Sequence, residues 1–191
     1  MERLRGLAEA LGATFYILDV QQIVDSYERL ISDAVGRPLT WDEDDITLQN
    51  IQARARGPSV WMLANMRGAL LLSTSNRSEA AVGYATMDGD TCGGLSPIAG
   101  IDKAFLRQWL RWLETEGPMG MNPIPALRAV NVQTPTAELR PKGSEQTDEG
   151  DLMPYPVLDF IERLAIGDKL PPADCLEVLK TEFSDHDEET L

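Results

Sequence analysis

The stretch Ala69-Leu70-Leu71-Leu72-Ser73-Thr74-Ser75-Asn76-Arg77-Ser78-Glu79 decides how this chain is read. Its first half is a compact apolar run of strand length, and its second half is polar, with helical spacing resuming around Glu79. A strand that passes through a polar loop into a helix is where open parallel sheets gather their ligands. That region lies outside the carboxyl ends of the strands, where helix amides face an anion. Residues 73–79 are therefore the first place to seek a site.

Upstream, Leu4, Leu7, Ala8 and Leu11 follow helical spacing and stop at Gly12, which can take a left-handed cap. Thr14 to Val20, with Phe15, Tyr16, Ile17 and Leu18 in sequence, predicts a strand buried on both faces. A helix follows over Gln22 to Ala34 and is broken by Gly36 and Pro38. The carboxylates of Asp42 to Asp45 suit the first turn of the next helix, at the positive end of its dipole, better than a metal site. That helix runs through Asn50 and Arg54, with a kink or restart expected at Gly57-Pro58.

Downstream, a glycine-rich stretch covers Asp88 to Gly100, and Lys103 to Glu114 returns to helix. Gly117 to Pro154 is rich in Pro, Gly, Thr and Asp and far exceeds the usual connection of about 4 to 6 residues, which marks it as functional or disordered. Val157 to Ile166 and Ala173 to Phe183 predict two short terminal helices. The alternation of elements predicts an α/β fold, a parallel sheet with flanking helices, in one domain over residues 1–183. Residues 184–191 form an acidic, solvated tail.

Composition narrows the function classes. The formal net charge of −14 over 191 residues disfavours a nucleic-acid surface, which draws on clustered Lys and Arg. No apolar run approaches the roughly 20 residues that span a bilayer, and Glu2, Arg3 and Arg5 do not open a signal peptide, so the expected location is cytoplasmic. Cys92 and Cys175 are too few for a disulfide framework and read as packing residues, while the single His186 leaves no zinc spacing.

Ser73-Thr74-Ser75-Asn76-Arg77-Ser78-Glu79-Ala80-Ala81-Val82-Gly83-Tyr84 resembles the central motif of NAD synthases. Asn50-Ile51-Gln52-Ala53-Arg54-Ala55-Arg56 is similar to the family's substrate helix, and Gly89-Asp90 with Gly93-Gly94-Leu95-Ser96-Pro97 to its glycine-rich turn. Lys103, the run Pro135 to Pro141, and Gln146-Thr147-Asp148-Glu149 leading to Tyr155 and Asp159 continue the match in the family's order. The form of Asn76 to Glu79 is closer to the glutamine-dependent branch than to the ammonia-dependent one.

The resemblance implies a Rossmann-like fold of the adenine nucleotide alpha hydrolase type, an ATP pyrophosphatase-type synthetase domain. It also implies a ligase that amidates deamido-NAD through an adenylated intermediate, with ATP, magnesium and ammonia. The ammonia is free or supplied from glutamine by a glutaminase domain, and the assembly is a homodimer. By the same resemblance Thr74, Lys103 and Thr136 contact ATP, while Asn50, Arg54, Glu79 and Tyr84 contact deamido-NAD. Glu79 also holds the metal, and Glu79 and Lys103 are the catalytic pair. Thr74, Glu79 and Lys103 are expected to line one cleft, with Asn50 and Arg54 near its far side. The bland alternatives are a first-turn carboxylate for Glu79, a helix-start lysine for Lys103 and a core tyrosine for Tyr84.

Departures accompany the match. Met87 stands where the ammonia-dependent enzymes carry lysine, Gly94 where they carry aspartate, and Ser184 to Leu191 holds no counterpart of their terminal basic pair. The family's Ser-Gly-Gly-x-Asp-Ser phosphate loop is not in this sequence, so a synthetase domain lacking its N-terminal phosphate-loop strands is the expectation. A non-catalytic remnant, or a split-enzyme subunit that keeps nucleotide binding or a dimer interface, is the alternative.

Overall fold

The computed structural model describes residues 2–141, 143 and 146–186. The chain divides into two compact units, one of Met1–Phe15, Ile101–Thr136 and Gln146–Leu191, the other of Tyr16–Gly100 and Ala137–Glu145.

The second unit is built on two helices, α2 (Gln21–Val35) and α3 (Trp41–Arg67), which pack on each other and bury Val24 and Leu48. Gly36 closes α2 in the left-handed conformation, as its sequence position predicts. Thr40 caps α3 by accepting from the Glu43 amide at 3.3 Å, and Asp42, Glu43 and Asp44 occupy the first turn. The acidic cluster is thus spent on the helix start. Asp44 accepts two bonds from Arg37, at 2.7 and 2.8 Å, and one from the Thr40 amide. Asp45 accepts from Arg140.

Helix α3 corrects one expectation. Its backbone stays helical through Gly57 and Pro58 and departs only at Asp44. Pro58 forfeits one i→i−4 hydrogen bond. Gly57 is buried, and a Cβ there would meet the Asp88 carbonyl oxygen at 2.9 Å, so the pair serves close packing rather than a break.

The expected strands are also corrected. Among the described residues no strand forms, and the one isolated parallel bridge joins Leu72 to Leu95. Thr14 to Val20 and Ala69 to Thr74 run without a ladder, because a strand exists only through backbone bonds to a neighbour and these segments do not supply one to each other. Tyr16, Ile17 and Leu18 are exposed where burial on both faces was expected, and Leu70 and Leu72 of the second apolar run are exposed as well. Tyr16 is held locally: its hydroxyl accepts from Arg67, whose guanidinium also lies 5.4 Å from the ring centre.

The first unit is helical. Its α1 (Glu2–Ala10) is followed by Gly12 at φ 67°, and α5 (Lys103–Thr115) begins at the Asp102 cap. Against α5 pack the turn Pro125–Leu127, α6 (Arg128–Asn131) and α8 (Tyr155–Glu162). The chain continues from α8 through a π turn, Arg163–Gly167, to α9 (Pro172–Glu182). The long segment Gly117 to Pro154 is not structureless: it contains the 125–127 turn, α6 and α7 (Asp148–Asp151). Leu106, Leu127, Tyr155, Val157, Leu158, Leu164 and Leu179 form the buried set, and Cys175 joins it as a packing residue. In the acidic tail Asp187, Glu188 and Glu189 lie outside the described residues, while Phe183 and His186 stack edge to face.

Candidate functional site

In the second unit the site forms where α4 (Arg77–Val82) begins. Asn76 caps it by accepting from the Glu79 amide at 3.1 Å, and Glu79 reciprocates by accepting from the Asn76 amide at 3.3 Å. This capping box satisfies two amides at once and fixes the path of the preceding loop. Asn76 and Ser78 are buried with it.

The glycine-rich turn locks the loop from the other side. Gly93 donates to Ser73 Oγ at 2.8 Å, Gly94 donates to the Leu71 carbonyl at 2.9 Å, and the Ser73 amide donates to the Leu95 carbonyl at 2.8 Å. Ser96 Oγ donates to the Ser75 carbonyl at 3.2 Å. Between the buried residues Ser73 and Asn76, Thr74 is left exposed. One hydroxyl is thus presented on a rigid backbone.

Asn50 and Arg54 lie four apart on α3, half-buried and exposed respectively. Arg54 Nε donates to the Met87 carbonyl at 3.0 Å, which orients its guanidinium. Met87 opens a tight turn in which the Thr86 amide donates to Asp90 Oδ1 at 2.7 Å and Asp88 adopts φ 63°. The turn approaches α3 where Ala53 and Gly57 leave room. Tyr84 is half-buried, and its amide donates to the Glu79 carbonyl at 2.9 Å just past the end of α4. Arg56 donates to the Glu138 carbonyl at 2.7 Å, and with the Arg140–Asp45 pair it fastens residues 138–140 along α3.

The first unit carries Lys103 and Thr136. Lys103 is not an ordinary exposed lysine: its side chain is 22% exposed, Nζ lies 3.9 Å from Asp148 Oδ2, and the ammonium sits 5.6 Å from the Tyr155 ring centre. Tyr155, fully buried, donates its hydroxyl to the same Asp148 oxygen at 2.9 Å. Glu149 accepts from the Tyr155 amide and from Arg107, and Asp159 accepts from the Ala104 amide at the start of α5. Thr136 is exposed, next to Pro135, whose carbonyl accepts from the Asp148 amide.

Of the expected site residues, then, Asn50, Arg54, Thr74, Glu79 and Tyr84 belong to one unit, and Lys103 and Thr136 to the other. The sequence marked 146–149 and Tyr155 as matching blocks but not as the surroundings of Lys103. No local pattern signals a contact between residues 103 and 148. The magnesium implied by the resemblance finds only Glu79, whose Oε2 is already engaged in the cap. Among the described residues no group of three His, Cys, Asp or Glu side chains gathers, so a magnesium ion at Glu79 would take its remaining positions from phosphate oxygens and water.

The scaffold and its motifs are those of the synthetase part of NAD-forming enzymes. The glutamine-dependent NAD(+) synthetase of Cytophaga hutchinsonii superposes with a TM-score of 0.79 at 48% identity, over 94% of this chain and 27% of that one. That of Acinetobacter baumannii, solved with ADP, superposes with a TM-score of 0.56 at 28% identity, over 99% of this chain and 30% of that one. In sequence, the glutamine-dependent NAD(+) synthetase of Thermotoga maritima is 40% identical across 91% of this chain and 28% of its own length. The family profile described as NAD synthase matches residues 1–187, and the chain belongs to that family. It spans a little over a quarter of the length of these relatives. No helix among the described residues is long and apolar enough to cross a membrane.

Proposed function

We propose that this chain is the later part of a ligase of NAD biosynthesis that amidates deamido-NAD using ATP. The observation that carries the reading is the loop from Ser73 to Glu79, capped at Asn76, laced to the glycine-rich turn and presenting Thr74. A carboxylate is a poor electrophile. The nicotinate carboxylate of deamido-NAD attacks the α-phosphorus of ATP, pyrophosphate leaves, and ammonia then displaces AMP from the mixed anhydride, losing a proton as the amide forms.

Each residue serves a part of this. Lys103 offers a positive charge to the phosphates, and Thr74 and Thr136 offer hydroxyls. Asn50 and the oriented guanidinium of Arg54 hold deamido-NAD, with Tyr84 beside the ring. Glu79 places its carboxylate at the same loop. The relatives are named glutamine-dependent synthetases, and one was solved with ADP, which supports ATP and glutamine-derived ammonia as partners here. A homodimer and a glutaminase domain belong to the same reading.

By itself the chain turns over poorly in this proposal. The sequence holds no Ser-Gly-Gly-x-Asp-Ser loop to cradle the leaving pyrophosphate, and losing one such donor costs about 100 to 1,000-fold in rate. The exposed apolar side chains of 16–18, 70 and 72 are the second mark of a missing neighbour. The test is NAD formation from deamido-NAD, ATP and saturating ammonia, by this chain and by a version extended upstream through that motif. Turnover by the extended version alone is expected. Equal turnover by both overturns the dependence on the motif, and no turnover by either overturns the ligase reading in favour of a non-catalytic remnant.

A further inference from the structure

We propose that Asp148 is a positioning residue that sets the pose of the Lys103 ammonium and ties it to the segment bearing Thr136. This rests on the reading of Lys103 and Thr136 as ATP-contacting residues. Lysine is a point charge on a flexible four-carbon stem, so its value at a phosphate depends on what restricts the stem. Here the restriction comes from two sides. The buried Tyr155 ring lies under the ammonium at 5.6 Å, and Asp148 Oδ2 lies 3.9 Å from Nζ. At that separation the carboxylate attracts the ammonium without taking one of its N–H groups in a charge-assisted hydrogen bond, which needs about 2.7 to 2.9 Å. The two contacts together hold the charge in place.

Asp148 is itself fixed. Its Oδ2 accepts from the Tyr155 hydroxyl at 2.9 Å, its side chain is 6% exposed, and Thr147 caps the short turn by accepting from the Gly150 amide at 3.0 Å. Its amide donates to the Pro135 carbonyl at 3.1 Å, one residue before Thr136. A single residue therefore reaches Lys103 with its side chain and the Thr136 segment with its backbone. Neither contact is needed for the helix start, since Asp102 caps α5 and Asp159 accepts from the Ala104 amide.

Charge and position predict opposite signs, which makes the inference testable. Removing the negative charge of Asp148 alone would strengthen binding of an anion, whereas removing a positioning contact weakens it. The chain has four lysines, at 103, 142, 169 and 180, so 13Cε-lysine labelling gives four signals that single Lys→Arg substitutions assign. Without nucleotide, the Lys103 methylene should show an Overhauser contact with the Tyr155 ring and restricted motion, and Asp148→Asn should lose both. With ATP, the Lys103 signal should shift saturably, and Asp148→Asn should raise the Kd about fivefold, the loss of one oriented charge contact.

Unchanged Lys103 contact and motion in Asp148→Asn overturns the inference, as does ATP binding that is equal or tighter. Should Asp148→Asn lose the wild-type amide dispersion, Tyr155→Phe replaces it. That variant keeps the ring and removes only the hydroxyl that fixes the carboxylate, and unchanged Lys103 motion and ATP affinity in it overturn the proposal equally. The underlying reading fails separately: Lys103→Met binding ATP as tightly as the wild type, or no saturable Lys103 shift in the wild type, removes Lys103 from the ATP site whatever the nucleotide-free spectra show.

Discussion

Replacing Gly93 by alanine places a methyl group against three atoms of the motif loop. A Cβ there would overlap the Ser73 amide nitrogen and would stand 2.5 Å from the Leu72 carbonyl carbon and 2.7 Å from Ser73 Oγ. Two of the three are backbone and cannot rotate away, so the turn must retreat by nearly an ångström. Retreat breaks or lengthens the Gly93–Ser73, Gly94–Leu71 and Ser73–Leu95 hydrogen bonds. Three bonds at about 1 kcal/mol each set the scale, and overpacking of a close contact costs a similar 1 to 3 kcal/mol, so a loss of about 3 kcal/mol is expected. Gly94→Ala is the internal control. Its Cβ meets the flexible end of Leu70 at 3.3 Å and then only the Leu71 carbonyl at 3.9 Å, so a cost below about 1 kcal/mol is expected. Urea denaturation of both variants followed by far-UV circular dichroism measures the difference. Equal midpoints for Gly93→Ala and the wild type would refute the account of how the loop is held.

Two further outcomes test the same unit. Asn76→Ala removes the buried cap of α4 and should cost about 1 to 2 kcal/mol, whereas Glu79→Gln keeps a side chain able to complete the capping box and should cost under about 0.5 kcal/mol. If Glu79 acts on substrate, Glu79→Gln in the extended enzyme loses turnover while its urea midpoint holds; loss of both together assigns the residue to structure. The Asp44 carboxyl is held down to about 2, first by its hydrogen bonds from Arg37 and then by the Thr40 amide, against an ordinary value of 3.8. A carboxyl with a depressed pKa stabilises the fold above its unfolded value and loses that contribution as pH falls through its folded value. Amide exchange at the start of α3 should therefore rise between pH 4 and about 2, and Asp44→Asn should abolish that step.

The helices were legible because their signals are local. Periodic apolar residues and a glycine at the end place α2 within a residue of its observed span, and Asp42 to Asp44 mark the start of α3. The strands were not, because Tyr16 to Leu18 and Leu70 to Leu72 carry the composition of buried strands while pairing depends on residues elsewhere. Gly57-Pro58 misled for a related reason: the local rule for proline predicts a break, and close packing against the Asp88 turn decides otherwise. The candidate site was legible as a set of blocks, because motif order survives without geometry. Its internal wiring was not. Nothing about Lys103 in sequence points to Asp148 forty-five positions on, and Glu79, read from the motif as a ligand rather than a first-turn carboxylate, is found completing the capping box with Asn76.

The bond from Arg54 to Met87 ends on a backbone oxygen, which every amino acid owns. A side chain at position 87 can therefore change without releasing the guanidinium, so long as the turn keeps its path. A lysine and the methionine found here are interchangeable at position 87 as far as the Arg54 bond is concerned. Position 87 is thus a place where selection can explore new side chains beside α3 while the bond that holds Arg54 is kept.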